Sequence, residues 1–258
     1  MTLRVTVCEF HDDPIALNQD WLELAAHVKA EASDLVLLPE MPFYPWFART
    51  RPFVPGVWQA VLDAHGDWHK RLNELAPATI IGTRPVEADS RRLNEGFVFD
   101  SNAGYRPAHR KYYLPDEDGY WEASWYQRGD GTFVPIDTGG LKVGFLICTE
   151  LWFMERARAY GRAGAHLILN PRATGRATVD KWLLAGRSAA IVSGAFALSS
   201  NRVNQVGDTP EFGGQGWVIG PEGEVLGSTS QERPFVTVDI DIAQAELAKT
   251  TYPRYVLE

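Results

Sequence analysis

The sequence predicts an α/β sandwich with helices packed outside its sheets, and three observations point there. Short apolar runs alternate with amphipathic segments along the chain, the layout that builds layered sheets joined by helices. The runs near Cys148 are continuously apolar rather than alternating, so those strands are buried on both faces. Near the C-terminus, Pro221-Glu222-Gly223 separates two apolar runs; proline fixes φ and glycine frees it, which predicts a hairpin and so a mixed sheet.

In chain order, the first strand is expected over residues 3–10 and the first helix over 20–30, with Trp21, Leu24, Ala25 and Val28 on one face. A strand over 35–38 precedes a helix over 57–75, where Val61, Leu62, Trp68, Leu72 and Leu75 recur at core-facing spacing. Strands over 79–82 and 143–148 follow, then a helix over 155–162 directly after Cys148. Strands over 167–169 and 195–199 flank a helix over 180–191 that carries Trp182, Leu183, Ala189 and Ala190, and the hairpin covers 217–226. With no linker, low-complexity stretch or tandem repeat, one domain over residues 1–258 is expected.

Hydrophobic residues at 45% and charged residues at 22% fill a core and argue against disorder. The formal charge of −8 repels polyanions, so neither nucleic acid nor an anionic membrane is an expected partner. No window approaches the roughly 18 apolar residues of a membrane span, and the start lacks a basic stretch followed by an apolar run, so a cytoplasmic protein is expected. The two cysteines, Cys8 and Cys148, both sit in apolar runs, which suits reduced thiols. Cys8 has no polar cluster behind it and reads as a buried structural thiol.

Cys148 differs. Leu38-Pro39-Glu40, Arg110-Lys111-Tyr112-Tyr113-Leu114 and Gly144-Phe145-Leu146-Ile147-Cys148-Thr149-Glu150 place a carboxylate, an ammonium and a thiol after apolar runs. A cysteine attacks as thiolate and needs a base for its proton, and a reaction that builds negative charge on oxygen needs a fixed cation. Glu40, Lys111 and Cys148 supply these roles. At a strand-to-helix junction, the Thr149 backbone N–H adds a second donor for an oxyanion.

These strings, at these separations and in this order, resemble the carbon–nitrogen hydrolase (nitrilase) superfamily, in which Glu, Lys and Cys form the catalytic triad. The resemblance covers nearly the whole chain and implies a four-layer α-β-β-α sandwich, with Lys111 facing the nucleophile. It also implies a fourth member, a second glutamate upstream of a glycine: Glu122, in the string that runs from Trp121 to Gly129, fits this place better than Glu117 and would orient Lys111. The implied activity is thiol-dependent hydrolysis of a small carboxamide or carbamoyl compound through a thioester, without metal or cofactor. The alternatives are a nitrilase using the same triad and a silent binding member. Relatives associate through the regions corresponding to 155–162 and 250–258, which implies a homodimer or higher homo-oligomer.

Residues near the motif ends are expected to line the pocket: Phe43, Tyr44, Trp46, Trp121, Trp125, Thr149, Trp152 and Arg172, although each aromatic is as readily core. Arg172 either clamps a substrate carboxylate or pairs with Glu150. The substrate arginines that carbamoyl-amino-acid hydrolases place after the nucleophile are replaced here by Thr149, Glu150, Leu151 and Trp152, and Glu150 stands where many relatives have Asp. His65 and His69 have zinc-site spacing but lack the usual Glu, and read as helix-surface residues.

Overall fold

The computed structural model describes residues 1–256, so Leu257 and Glu258 of the expected C-terminal interface lie outside the described residues. The first half contains β1 (Thr2–His11), α1 (Pro14–Glu31), β2 (Leu35–Leu37), α2 (Pro55–His69), β3 (Thr79–Ala88), β4 (Arg91–Asp100) and β5 (Gly104–Arg110). The second contains α3 (Glu122–Trp125), β6 (Ile136–Thr138), β7 (Leu141–Phe145), α4 (Met154–Arg162), β8 (Leu167–Pro171), α5 (Val179–Ser193), β9 (Phe196–Val203), β10 (Trp217–Ile219), β11 (Val225–Ser228), β12 (Phe235–Asp241) and α6 (Ile242–Ala248).

One sheet runs β5-β4-β3-β2-β1 with β12 on the free side of β1; the other runs β6-β7-β8-β9-β10-β11. They join where β1 meets β9 at Glu9↔Asn201, Phe10↔Arg202 and His11↔Val203. The central pairings are parallel and the outer ones antiparallel, so the sheet is mixed, as the hairpin implies.

Alternation within the first sheet explains the layers. Val5, Val7, Leu35, Leu37, Ile81 and Val98 enter one apolar cluster with Val143, Phe145 and Leu167 of the second sheet. Their neighbours Cys8, Phe10, Val36, Leu38, Ile80 and Phe97 enter another with Leu17, Trp21, Leu24 and Val28 of α1. Trp182, Ala185 and Ala189 of α5 cover the far side of the second sheet. The order is therefore helices, sheet, sheet, helices, the four-layer sandwich. Cys8 is fully buried, and its Sγ donates to the Leu37 carbonyl at 3.3 Å.

Boundaries moved for identifiable reasons. α1 begins before residue 20 because Asp13 caps it, accepting from Ile15 N and Ala16 N, with Pro14 opening the first turn. That turn is exposed and shows no apolar stripe. The expected helix over 57–75 ends at His69; Leu72 and Leu75 reach the same core from a separate 3-10 turn before Ala76-Pro77, where proline opposes helix. The strand over 79–82 continues into a ten-residue hairpin arm, with Asp89 and Ser90 both at positive φ in a two-residue turn. Its polar residues hid it from a reading of apolar runs.

The surface placement of the histidines is corrected. His65 is 1% exposed, donates from Nδ1 to the Val61 carbonyl at 2.8 Å and packs against Phe43; His69 is half-buried against Phe97 and Tyr105. Burial lowers both pKa values to about 3, leaving the rings neutral. The C-terminal segment folds onto its own chain: Arg158 donates to the Val256 carbonyl at 3.0 Å, while Tyr252 and Tyr255 stay exposed. No helix among the described residues is long and apolar enough to cross a membrane.

The close approach of layers rests on glycines. A Cβ at Gly96 would stand 2.7 Å from the Phe145 ring across the sheets, and one at Gly144 would stand 2.6 Å from the Tyr160 ring. Gly144→Ala is expected to cost about 1–3 kcal/mol by overpacking. Gly66→Ala, at an α2 position with nothing within 4 Å, is expected to gain roughly 1 kcal/mol. Urea unfolding of the two variants checks the opposite signs.

Candidate active site

Glu40 lies just beyond β2, Lys111 just beyond β5, Cys148 just beyond β7, and Glu122 opens α3. Lys111 Nζ donates to Glu40 Oε1 at 2.7 Å and to Glu122 Oε1 and Oε2 at 2.8 and 2.6 Å. All three side chains are 0% exposed, and Cys148 is 3% exposed. A carboxylate oxygen of Glu40, one of Glu122 and Cys148 Sγ lie within 4.8 Å of one another. Those three could by distance hold a cation, but the ammonium already donates to both carboxylates, and its charge repels a metal ion there.

Asn94 of β4 donates from Nδ2 to the same Glu40 Oε1 at 2.8 Å, and its carbonyl accepts from Lys111 N. Glu40 Oε2 is buried without a hydrogen-bond partner among the described residues. One oxygen is thus anchored twice and the other keeps its lone pairs. The backbone around Glu40 is held by Arg202, buried, which donates to the carbonyls of Glu40 at 3.0 Å, Tyr44 at 2.8 Å and Met41, and pairs with Asp12. A cleft of about 990 Å³ lined by Asp12, Asp13, Asp20 and Glu23 opens elsewhere, and Glu40, Lys111, Glu122 and Cys148 are not among its lining residues.

Cys148 does not end its strand, as expected over 143–148. β7 stops at Phe145, and Cys148 opens a 3-10 turn, Cys148–Trp152, with φ at +48°. A non-glycine residue in the left-handed region costs about 1–3 kcal/mol and persists only where its surroundings enforce it. Asn170 Nδ2 enforces it by donating to Leu146 O at 2.5 Å and Cys148 O at 3.2 Å. On the Lys111 side, Gly129 N donates to Lys111 O, and a Cβ at Gly129 would stand 2.2 Å from Arg110 O. This contact accounts for the glycine that follows Glu122. Arg110 turns away to Glu95 at 3.3 Å.

Charge balance follows from burial. Burial raises the Glu122 pKa, Lys111 pulls it down and Glu40 pushes it up again, for a net rise to about 8. Burial lowers Lys111, but Glu122 and then Glu40 more than offset it, so the ammonium stays charged. Burial and the Glu40 charge push the Cys148 thiol up, against the pull of Lys111. Burial thus favours the neutral thiol at Cys148 and a proton on Glu122, while the carboxyl groups beside it keep Lys111 charged.

The expected pocket residues divide. Tyr44 and Thr149 are half-buried at the ends of the motif segments. Trp125 is 1% exposed, packs on Phe47 and Phe53, and donates its indole N–H to Thr50 O at 2.6 Å. Trp152 is 45% exposed and rests on Trp182. Among the described residues, no side-chain hydrogen bond or ring contact joins either tryptophan to the four clustered residues. Phe43 stacks on Trp68 in the core, and Trp46 donates to Gly119 O at 2.9 Å.

The expected pairing of Arg172 with Glu150 is corrected. Arg172 is fully buried, donates to Ser199 Oγ at 2.9 Å, to Thr174 Oγ1 and to the carbonyls of Gly214 and Gln215, and lies over Trp217. All three of its nitrogens are committed inside the protein, and Glu150 is not among their partners. Residues that apolar patterning missed, Asn94, Asn170 and Arg202, are polar side chains inside or just past strands. Their signal is the mismatch of an amide or guanidinium with a buried position.

The family model for carbon–nitrogen hydrolases matches residues 12–250. The chain is 29% identical over 238 residues to the chloroplastic omega-amidase of Arabidopsis thaliana, covering 87% of this chain and 63% of that protein. It is 27% identical over 200 residues to the N-carbamoylputrescine amidase of Solanum tuberosum, covering 72% and 64%. The chain thus spans less than two thirds of the length of either relative. A carbon–nitrogen hydrolase from Helicobacter pylori G27 shares the fold, with a TM-score of 0.84 and 23% identity over 98% of this chain and 94% of that one.

Between about pH 4.5, the ordinary value, and 8, native Glu122 holds a proton that the unfolded chain releases. Its contribution to stability is therefore present below that window and lost as pH rises through it. Glu122→Gln keeps the neutral form at every pH. Its stability relative to wild type is expected to rise from pH 5 to pH 8, read by urea titrations across that range.

Proposed function

The chain belongs to the carbon–nitrogen hydrolase family, and on that premise we propose that it hydrolyses the C–N bond of a small carboxamide or carbamoyl compound through a thioester on Cys148. The supporting observation is one carboxylate with divided duties: Glu40 Oε1 is fixed by Lys111 and Asn94, Oε2 has no hydrogen-bond partner among the described residues, and a Glu40 carboxylate oxygen lies within 4.8 Å of the Cys148 sulfur. A general base must be held still and yet keep an open lone pair. The names of the omega-amidase and carbamoylputrescine amidase relatives agree with this substrate class.

Glu40 Oε2 takes the thiol proton as Cys148 sulfur bonds to the substrate carbonyl carbon. The carbonyl oxygen becomes an oxyanion that receives the Lys111 ammonium and the Thr149 backbone N–H. As the tetrahedral intermediate collapses, the C–N bond breaks and Glu40 gives its proton to the leaving nitrogen, which departs as ammonia or an amine. Water then attacks the thioester while Glu40 takes its proton; the C–S bond breaks and the proton returns to sulfur. Glu122 orients Lys111 throughout. The protein acts in the cytoplasm as a homodimer, assembled through α4 and the segment from Thr250 that carries exposed Tyr252 and Tyr255.

Wild-type protein is expected to release ammonia from members of a small-amide panel. Cys148→Ala should show no turnover, and Glu40→Gln should lose about 10²–10⁴-fold in kcat. Wild type that converts nitriles to acids but leaves every amide intact would replace the amidase reading with a nitrilase one. Light scattering is expected to give the mass of two chains at micromolar concentration, and a monomer with full activity removes the dimer.

A further inference from the structure

We infer that Glu150 is a positioning residue whose single carboxylate clamps the turn bearing Cys148 onto the segment bearing Lys111, and so sets the separation of nucleophile and cation. The inference rests on the roles proposed for those two residues. Glu150 is 0% exposed. Its Oε2 accepts from Ile147 N, the residue before Cys148, at 2.9 Å, and from His109 Nε2 at 2.8 Å. Its Oε1 accepts from Tyr112 N, the residue after Lys111, at 2.7 Å.

Cys148 and Lys111 arrive on different sheets. Lys111 is tied to β4, Glu40, Glu122 and Gly129, and Cys148 is tied to β8 through Asn170. Among the described residues, every hydrogen bond joining residues 146–150 to residues 109–113 passes through Glu150. The distance across which Lys111 stabilises a thiolate therefore depends on this carboxylate, and the Coulomb energy varies inversely with that distance.

The chemistry calls for Glu at this position. Three N–H groups converge on it, and an ionised carboxylate is all acceptor, whereas an amide would turn one NH₂ towards a donor. Reach matters too. Asp is one methylene shorter, so a side chain rooted in the 3-10 turn would release either the turn or the Lys111 segment.

The test uses the full chain with Glu150→Gln and Glu150→Asp. Three readouts are taken: kcat and KM on whichever amide wild type hydrolyses, the pH profile of iodoacetamide alkylation at Cys148 mapped by mass spectrometry, and folding by circular dichroism. Glu40, Lys111, Glu122, Arg172, Tyr120 and Tyr126, the titratable groups that interact electrostatically with Cys148, are unchanged in each variant. For Glu150→Gln, kcat is expected to fall about 10²-fold, the loss that an ångström of misplacement brings, with KM nearly unchanged. The alkylation midpoint should move to higher pH, and Glu150→Asp should fall between Gln and wild type. A folded Glu150→Gln protein with wild-type kcat and a wild-type alkylation profile overturns the clamp, even if it melts earlier. If Glu150→Gln does not fold, His109→Gln removes one of the three donors, and the same two readouts decide. If wild type hydrolyses no amide, the function proposed above fails on its own account, and the alkylation profile, which needs no substrate, still decides the clamp.

Discussion

An ammonium buried between two carboxylates governs this structure. Lys111 has no solvent contact and donates to both Glu40 and Glu122. Taking any one of these charges out of water alone costs several kcal/mol, and removing one partner leaves the others uncompensated. The three tolerate burial only together, so the ends of β2 and β5 and the start of α3 must meet at one place. Two carboxylates against one ammonium leave an excess negative charge, which the proton on Glu122 removes below about pH 8. Such a cluster is a poor way to gain stability, and its presence in a deep core points to chemistry.

The fold meets this constraint by pressing two sheets face to face and pinning each motif from behind. Phe145 lies against Gly96 across the sheets, and Tyr160 lies against Gly144. Onto that frame Arg202 fixes the carbonyls around Glu40, Asn170 fixes those of Leu146 and Cys148, and Gly129 supports Lys111. Each pin is a buried polar side chain or a glycine, and each meets a backbone group that the strand ends leave unpaired. Polar satisfaction and site geometry are thus the same set of bonds.

The layered fold and the places of Glu40 and Cys148 were legible from local signals, while Lys111 and Glu122 were legible through the family resemblance of the strings that carry them. Continuous apolar runs mark doubly buried strands, and Glu40 and Cys148 each stand directly after one, whereas Lys111 follows the mixed string from Gly104 to Arg110. The β3–β4 hairpin was illegible because Arg84, Glu87, Arg91 and Arg92 break its apolar pattern, and Asn94 was lost with it. The pairing expected of Arg172 with Glu150 misled for a related reason. The position of Arg172 past β8 resembles that of the motif residues, but whether a guanidinium faces a ligand or backbone carbonyls depends on Gly214 and Gln215, more than forty residues away in sequence. His65 misled because helical spacing alone does not say which face carries the core.

On the proposed reading, the resting state explains how a deeply buried thiol remains both safe and usable. Burial and the Glu40 charge keep Cys148 protonated despite Lys111, so the free enzyme holds little thiolate for stray electrophiles. Converting it requires that the proton reach Glu40 Oε2 at the moment when new charge appears on a substrate oxygen. Transferring that proton neutralises Glu40, which removes a charge holding Lys111 and frees the ammonium to serve the oxyanion. Base and electrophile are thereby coupled through Lys111 Nζ: each step that discharges the carboxylate strengthens the cation's hold on the new negative centre. The left-handed φ of Cys148 and the fixed carbonyls around it keep the sulfur from following the proton out of line, so the reaction is limited to a carbonyl that enters between the thiol and Lys111.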